Sequence, residues 1–397
     1  MNHSHKVIAS ETNVRSVSIL GSTGSVGANT VDLVKLTPER FSVAALSANR
    51  NVGLLAEQAR TLKAKIAVIA DESCYYDLKE ALSGSGIVVA AGREAVIEAA
   101  MHPSDWIMSA IVGTAGLEPT FRAIERGAII GLANKECLVS AGNVINEEIR
   151  RKGATIIPVD SEHSAIFQVF DFADAEKVNR IILTASGGPF REKSLKEMAT
   201  MTPKQAVAHP NWDMGTKISI DSATMMNKGL ELIEAFYLFP VIEEKIEILV
   251  HPQSVVHSLV DYVDGSVLAQ MGIPDMRTPI SYALGWPQRL AYPAPSLNLQ
   301  EIGNLTFEDP DEVRFPALRL AREALKEGGS APTVLNAANE IAVEGFLKKQ
   351  INFLEIAAIV ENTLEKAPNC ELLTLSDVTD ADHMARKIAK ECILEFA

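Results

Sequence analysis

Residues 17–27 read VSILGSTGSVG, a short apolar run that ends at three glycines spaced three residues apart. The run predicts a buried strand, and residues 28–35 predict the helix that follows it. Glycines at such a turn let the backbone approach a pyrophosphate at the helix N-terminus. The spacing departs from GxGxxG and is a weak indicator alone, but its position at the first strand favours a dinucleotide-binding site.

The alternation of short apolar strands with helices continues to residue 160. The further predicted strands cover residues 41–46, 66–70, 87–91, 106–111, 128–132 and 155–159. Such a pattern is typical of a parallel sheet with helices on both faces. Residues 1–160 are therefore predicted to form a doubly wound, Rossmann-like α/β domain.

The pattern changes after residue 160. Predicted strands at 181–184, 246–250, 255–263 and 266–271, with a helix at 225–238, indicate a smaller α+β domain over residues 161–285. Residues 186–216 form a long irregular segment typical of a lid. Asp264 and Gly265 predict a type I′ hairpin turn. That hairpin offers an edge for pairing with a second subunit, and a covered internal edge is an equal alternative.

The rest of the chain divides at a proline-rich stretch. Residues 286–312 predict an extended linker, and residues 313–397 predict a C-terminal helical domain.

Composition excludes several classes of protein. The net charge is −14, so the protein repels nucleic acid, and any anionic ligand must be held by local donors. The four cysteines have no paired spacing, which argues against a disulfide framework and a thiolate zinc site. The first fifteen residues lack an apolar signal core, and no apolar run reaches the ~20 residues of a membrane span. We therefore expect a cytoplasmic protein.

The end of the second predicted strand bears on cofactor specificity. NAD sites usually carry an acidic residue about 20 residues beyond the glycines. Residues 47–51 read SANRN and contain no acid, whereas Arg50 between Asn49 and Asn51 suits a 2′-phosphate. A solvated loop is the alternative, and the missing acid favours NADP over NAD.

Two polar strings follow predicted strands. They contain Asn134, Lys135 and Glu136 in one and Asp160, Ser161 and Glu162 in the other. Ligands of parallel sheets bind beyond the carboxyl ends of the strands. Asp160 and Glu162 suit Mg²⁺ or Mn²⁺ better than zinc, but a helix N-cap explains the same residues equally well.

Residues 222–231 form the densest polar cluster. On a helix, Asn227, Lys228 and Glu231 share one face. This combination suits a phosphorylated, polyhydroxylated ligand with a metal. An exposed Lys228–Glu231 ion pair is the more common explanation of that spacing.

The histidines differ in context. His209 and Trp212 lie within the predicted lid, where they could bind a phosphate and exclude water, although local packing is the ordinary role of such residues. His251 and His257 lie in predicted strands and are expected to satisfy core or sheet contacts.

Several strings between residues 21 and 340 match the pattern of one enzyme family. They are GSTGSVG (21–27), ANKE (133–136), PVDSEHSAIFQ (158–168), SGGPFRE (186–192), HPNWDMG (209–215), DSATMMNKGLE (221–231), HPQSVVHS (251–258), PDMRTPI (274–280) and LNAANE (335–340). Their combination resembles the 1-deoxy-D-xylulose 5-phosphate reductoisomerases of the non-mevalonate isoprenoid pathway.

The resemblance implies an NADPH- and divalent-metal-dependent homodimer. Such an enzyme rearranges a ketose phosphate and reduces the aldehyde to 2-C-methyl-D-erythritol 4-phosphate, and residues 161–285 would form its catalytic domain. By the same resemblance the metal ligands are Asp160, Glu162 and Glu231. Lys135 would be a catalytic substrate contact beside the metal.

The remaining site residues are assigned by the same resemblance. The substrate-binding residues, including a phosphate pocket and two lid residues, would be Ser161, Ser186, His209, Trp212, Met214, Ser222, Asn227 and Lys228. The cofactor-binding residues would be Thr23, Gly24, Ser25, Val26, Asn49, Arg50, Asn51, Asn134, Glu136 and Gly215. Asn49 stands where the family pattern has glycine, and Cys137 is expected to pack rather than react.

Two other functions compete with this one. A simple NADP-dependent dehydrogenase of a small aldehyde or semialdehyde would need no metal and would leave the three carboxylates unexplained. A catalytically silent NADP sensor would bind the cofactor without turnover.

Overall fold

The computed structural model describes residues 14–208, 212 and 215–396 of the chain. It contains two sheets and a helical C-terminal region, which confirms the predicted fold class. Among the described residues, no helix has both the length and the apolar character needed to cross a membrane.

The first sheet has seven strands, all parallel. They are β1 Arg15–Leu20, β2 Phe41–Ala48, β3 Ile66–Ile69, β4 Val88–Ala91, β5 Trp106–Ser109, β6 Ile129–Leu132 and β7 Thr155–Pro158. Their order in the sheet is β4-β3-β2-β1-β5-β6-β7. The chain reverses its direction of winding between β1 and β5, and ligands of such sheets bind in the crevice at that point.

Six helices connect these strands. They are α1 Ser25–Leu36, α2 Val52–Leu62, α3 Tyr75–Ala81, α4 Arg93–Met101, α5 Leu117–Glu125 and α6 Glu136–Lys152. The β1–α1 turn requires glycine at two positions. Gly21 has φ +84°, and a Cβ at Gly27 would lie 2.1 Å from the carbonyl oxygen of Gly21. The turn therefore brings the N-terminus of α1 close to the end of β1.

The second sheet has four strands in the order β11-β10-β8-β9. They are β8 Val178–Ala185, β9 Ile246–Val250, β10 Val256–Tyr262 and β11 Val267–Met271. β8 and β9 are parallel, and the other pairs are antiparallel. The helices of this part are α7 Ser161–Val169, α8 Leu195–Met198, α9 Pro203–Ala206, α10 Thr216–Ala223, α11 Met226–Leu238 and α12 Arg277–Gly285.

The hairpin between β10 and β11 differs from the prediction. Gly265 has φ +87°, but Asp264 is not left-handed, so a type I′ turn is wrong. The Gly265 N–H donates to the Tyr262 carbonyl (3.0 Å), and the Tyr262 N–H donates to the Ser266 carbonyl (2.9 Å). This is a three-residue loop in which a left-handed glycine ends the turn.

The C-terminal part contains α13 Leu299–Ile302, α14 Ala317–Glu327, α15 Ala331–Leu347, α16 Glu355–Lys366 and α17 Leu375–Phe396. The apolar side chains of α14 and α15 share one buried cluster with α11. The Thr333 hydroxyl donates to the Ser140 carbonyl (2.8 Å) beside Ala141, where α6 is kinked. The C-terminal helices therefore pack against α6 and α11.

The apolar contacts of α12 lie on the first sheet. Ile280, Ala283 and Leu284 are buried with Val17 and Ile19 of β1 in one cluster. A segment that follows the second sheet along the chain thus covers the first sheet in space. The domain boundaries predicted at residues 160, 285 and 312 remain predictions.

Candidate active site

A cavity of about 510 Å³ opens where the carboxyl ends of the parallel strands face the second sheet. Sixteen of the residues predicted to bind substrate, metal or cofactor line it: Gly24, Ser25, Val26, Asn134, Lys135, Glu136, Asp160, Ser161, Glu162, Ser186, Trp212, Gly215, Ser222, Asn227, Lys228 and Glu231. The cavity thus joins the glycine turn to the carboxylate cluster.

Three carboxylates converge in this cavity from two helices. Asp160 precedes α7, Glu162 lies in its first turn, and Glu231 lies in α11. Each offers an oxygen atom within 4.8 Å of the others. Asp160 also accepts a hydrogen bond from the Glu162 N–H (3.3 Å) as the N-cap of α7. The helix-cap and ligand-site interpretations of this residue are therefore both compatible with the structure.

Two lysines pair with the three carboxylates. Lys135 Nζ lies 2.7 Å from Asp160 and 3.3 Å from Glu231. Lys228 pairs with Glu231 and lies 3.5 Å from Glu162. The Lys228 and Glu231 side chains are only 5% and 1% exposed, so this pair is not a surface ion pair. The charges of the centre largely offset one another before any ligand binds.

Neighbouring charges separate the pKa values of the two acids of α7. Burial, together with the charges of Glu231 and Asp160, raises the pKa of Glu162 to about 8 against the opposing charge of Lys228. Burial also acts on Asp160, but the charges of Lys135 and His163 lower the pKa of that carboxyl far below its usual range. The surroundings of Asp160 therefore favour its ionised form, whereas those of Glu162 favour the protonated form.

A buried histidine–glutamate pair lies behind the carboxylates, and the sequence did not suggest it. His163 Nε2 lies 2.9 Å from the Glu231 carbonyl and must donate to it, while Nδ1 lies 3.1 Å from Glu234 Oε2. The second contact requires another proton on the pair. Burial alone would lower the pKa of His163, but the charge of Glu234 raises it to about 9. The spacing in the sequence could have indicated this pair. His163 lies three residues after Asp160, and Glu234 lies three residues after Glu231.

The carboxylate cluster fits a hard divalent cation. Its donors are carboxylate oxygens, which Mg²⁺ and Mn²⁺ prefer, and no cysteine lines the cavity among the residues described. Lys135 and Lys228 supply the positive charge between these oxygens in the structure. Asp160, Glu162 and Glu231 would hold the cation.

The described residues predicted to bind phosphate, Ser186, Ser222, Asn227 and Lys228, line the cavity together with the carboxylates. The Gly188 N–H donates to Ser186 Oγ (3.1 Å). A Cβ at Gly188 would lie 2.4 Å from the Ser222 carbonyl oxygen, so this glycine lets the two segments touch. Met225 has φ +62° and turns the chain from α10 into α11, where Asn227 begins the polar face. Local backbone geometry thus brings the predicted phosphate ligands together.

The predicted lid residues are only partly described. His209 and Met214 lie outside the described residues. The Trp212 ring lies 6.2 Å, centroid to centroid, from the His257 ring. His257 also lines the cavity, and burial lowers its pKa to about 4. For His257 the sequence predicted only a core or sheet contact. It did not predict that the side chain lines the cavity, because the neighbouring residues of the strand do not indicate this.

His251 has the structural role that was predicted for it. The ring is fully buried, and Nδ1 lies 2.8 Å from the Thr306 carbonyl. Its Nε2 accepts the Val255 N–H at 3.3 Å. Cys137 is likewise buried, and burial raises the pKa of its thiol to about 12, which favours packing over reactivity.

The predicted 2′-phosphate residues lie away from the cavity lining, on the exposed end of β2. Arg50 is 69% exposed and pairs with Asp71 at 3.0 Å. Asn51 accepts the Leu54 N–H (3.2 Å) as the N-cap of α2. Asn49 is exposed, and its backbone is not left-handed. Thr23 lies in the β1–α1 turn and, with these three residues, is absent from the described cavity lining.

Asn134 holds a loop at the end of the cavity proposed for the cofactor. Asn134 donates to the carbonyl oxygens of Ile111 and Gly113 (2.5 and 2.9 Å), which fixes the loop after β5. Sequence reasoning missed several other lining residues: Lys217, Ser254, His257 and Met276. Ser254 has φ +53°, a conformation that sequence does not reveal for a serine.

Comparisons with known proteins identify the family. Residues 17–142 match the model described as 1-deoxy-D-xylulose 5-phosphate reductoisomerase. Residues 156–239 and 271–388 match C-terminal domains of the same enzyme. A reductoisomerase of this name from Rhodospirillum centenum is 61% identical over 96% of this chain and 94% of its own length. One from Zymomonas mobilis is 58% identical over 94% of this chain and 96% of its own length.

Solved structures agree with these matches. The Zymomonas mobilis enzyme in complex with NADPH has a TM-score of 0.92 and 55% identity, covering 96% of this chain and 99% of that one. A reductoisomerase in complex with NADPH, fosmidomycin and magnesium has a TM-score of 0.90 and 42% identity, covering 96% of this chain and 98% of that one. With the site described above, these matches show that the chain belongs to the 1-deoxy-D-xylulose 5-phosphate reductoisomerase family.

Proposed function

We propose that this chain converts 1-deoxy-D-xylulose 5-phosphate to 2-C-methyl-D-erythritol 4-phosphate, using NADPH and a divalent metal. The observation that carries the proposal is the joining of three carboxylates and two lysines with a glycine-turn cofactor site in one cavity. Family membership supports the same reaction. A simple dehydrogenase is disfavoured because it leaves the carboxylate cluster without a role.

The carboxylates are proposed to hold Mg²⁺ or Mn²⁺. When bound, the cation supplies Lewis acidity toward oxygen atoms of the substrate. Asp160, Glu162 and Glu231 fix where those oxygens lie, and Ser161 contacts the substrate beside them. Lys135 donates to Asn227 Oδ1 (2.7 Å) and keeps its ammonium group next to the reacting carbons, where it steadies developing negative charge.

The remaining substrate contacts bind the phosphate end. Ser186, Ser222, Asn227 and Lys228 combine neutral donors with one cation, which suits a dianion in a protein of net charge −14. His209 is proposed to complete the phosphate pocket, and Trp212 and Met214 are proposed to cover the substrate within the lid at 186–216. Covering the site excludes water from the reaction.

The cofactor is proposed to run from the glycine turn into the cavity. Thr23, Gly24, Ser25 and Val26 bind the pyrophosphate at the N-terminus of α1, where backbone N–H groups and the helix dipole favour anions. Asn49, Arg50 and Asn51 bind the 2′-phosphate, and Asn134, Glu136 and Gly215 contact the ribose and nicotinamide end. When bound there, NADPH would supply the hydride needed to reduce an aldehyde to an alcohol.

We also propose a cytoplasmic homodimer with three domains, over residues 1–160, 161–285 and 313–397, joined by a linker at 286–312. β11 is an exposed edge strand, with Val267 and Leu268 about half exposed, and a second copy would cover that edge. The unpaired cysteines of the described residues suit a reducing compartment.

The test is loss of NADPH absorbance on adding 1-deoxy-D-xylulose 5-phosphate, with Mg²⁺ or Mn²⁺ and then with a chelator. We expect oxidation that stops when the metal is removed. Oxidation that persists in chelator would contradict the metal site, and absence of oxidation by protein that binds NADPH would favour another substrate.

A further inference from the structure

A second group of buried charges lies beside the cofactor end of the cavity, apart from the three carboxylates. Lys217 of α10 lines the cavity, and its Nζ lies 2.9 Å from Asp221 and 3.2 Å from Glu136. Asp221 is 1% exposed and Glu136 is 9% exposed. One lysine thus bridges α10 to the first turn of α6.

The bridge continues into the C-terminal helices. Asn339 of α15 is fully buried and donates from Nδ2 to Asp221 Oδ1 (2.8 Å). It belongs to the LNAANE string (335–340), to which the site described above assigns no role. The next residue, Glu340, pairs with Arg386 of α17, and Arg386 donates to Thr114 Oγ1 (3.1 Å) in the loop after β5. The C-terminal helices therefore contact the cofactor end at two points.

The charge balance gives the bridge a consequence for binding. Glu136 faces a cavity that must accept a cofactor with several negative phosphate oxygens, in a protein of net charge −14. Burial alone would lower the pKa of Lys217, but the charges of Asp221 and Glu136 raise it, so the ammonium stays charged. Lys217 thereby offsets a carboxylate that would otherwise repel the cofactor.

We propose that Lys217 is a positioning residue for the cofactor: it neutralises and orients Glu136, and through Asp221 and Asn339 it makes the C-terminal helices part of the NADPH site. The inference rests on the proposed contact of Glu136 with the cofactor. It assigns Lys217 no contact with the reacting atoms.

The test measures the Kd of NADPH by its fluorescence in the full-length protein without substrate, followed by kcat and KM. Lys217→Met should raise the Kd about tenfold, because it removes the ammonium group that pairs with Glu136. Lys217→Arg keeps the charge and should stay within about threefold of wild type. Asn339→Ala removes only the anchor and should raise the Kd by a smaller factor. Lys348→Met, which breaks an exposed ion pair on α15, is the control and should change nothing.

A double variant separates charge compensation from a structural role. If Lys217 acts by offsetting Glu136, Lys217→Met combined with Glu136→Gln should bind NADPH more tightly than Lys217→Met alone. A Kd unchanged in Lys217→Met and in Asn339→Ala, with only a lower Tm, would overturn the proposal. Should Lys217→Met fail to fold, an unchanged Kd in Asn339→Ala would overturn the coupling to the C-terminal helices. Wild-type protein whose NADPH affinity depends on Lys217, but which does not oxidise NADPH with the substrate, would contradict the proposed function alone.

Discussion

The two ends of the candidate site are built in opposite ways. At the carboxylate end, Lys135, Lys228 and Glu231 are almost wholly buried and hold one another in ion pairs. At the 2′-phosphate end, Arg50 is 69% exposed and, within the described part of the chain, pairs with Asp71 alone. A buried charge that loses its partner is costly, whereas an exposed one is screened by water. Substitutions should therefore have large effects at the first end and small ones at the second.

The largest effect is expected for Glu231→Gln, which removes a predicted ligand and a partner of both lysines. We expect kcat to fall about 1,000-fold, or ~4 kcal/mol, while the Kd of NADPH changes little. Steady-state kinetics and NADPH fluorescence measure the two quantities. Glu244→Gln, at an exposed glutamate after α11, is the matched control. Turnover that survives in Glu231→Gln would remove this carboxylate from the metal site.

Lys228→Met should have the next largest effect. It removes the cation proposed to bind the substrate phosphate, so KM for the substrate should rise about 100-fold and kcat should fall less. Initial rates over a range of substrate concentrations separate the two. Lys177→Met, at an exposed ion pair, controls for loss of a lysine. A fall in kcat with KM unchanged would contradict the phosphate assignment.

Metal affinity should depend on pH because the pKa of Glu162 is raised to about 8. Below that pH the carboxyl is protonated and the metal must displace the proton. The apparent Kd for Mn²⁺ should therefore weaken up to tenfold per pH unit below about 8 and level off above it. Titration calorimetry in buffers of different ionisation enthalpy would also report the released proton. An affinity that stays constant between about pH 6.5 and 8.5 would show that Glu162 is already ionised.

The smallest effect is expected at the exposed end. Arg50→Ala should reduce the preference for NADPH over NADH about tenfold or less, because solvent screens the guanidinium. The ratio of kcat/KM for the two cofactors measures it, with Arg40→Ala as the control. An unchanged ratio would exclude Arg50 from 2′-phosphate binding. A loss as large as that of Glu231→Gln would contradict the comparison itself.

Much of the fold could be predicted because its signals are local. Apolar runs and the glycines at 21 and 27 specify the first sheet, and the helix predicted at 28–35 lies within the observed α1, Ser25–Leu36. The segment 186–216 was predicted as irregular, but the structure contains the short helices α8 and α9 there. The hairpin turn was predicted incorrectly because the sequence Asp264-Gly265 suits more than one loop length.

The residues of the site likewise divide into those that a local pattern in the sequence could indicate and those that it could not. Asp160, Glu162 and Glu231 could be suggested from spacing and resemblance, since each sits near the start of a helix or on its polar face. The partners of these residues could not be predicted. Lys217 meets Glu136, and His163 meets Glu234, only because α6, α7, α10 and α11 pack together. Such pairs depend on tertiary distances that no short string encodes.

Because three carboxylates share two lysines, this centre can accept few amino-acid substitutions during evolution. A substitution at Glu231 removes a partner from both Lys135 and Lys228 at once. Restoring the charge balance would require a second, compensating substitution at the same time. We therefore expect single amino-acid substitutions at this centre to be selected against. For the same reason, few single substitutions would give resistance to an inhibitor that binds these carboxylates through a metal. Arg50, which is itself exposed and pairs with Asp71, is under no such restriction.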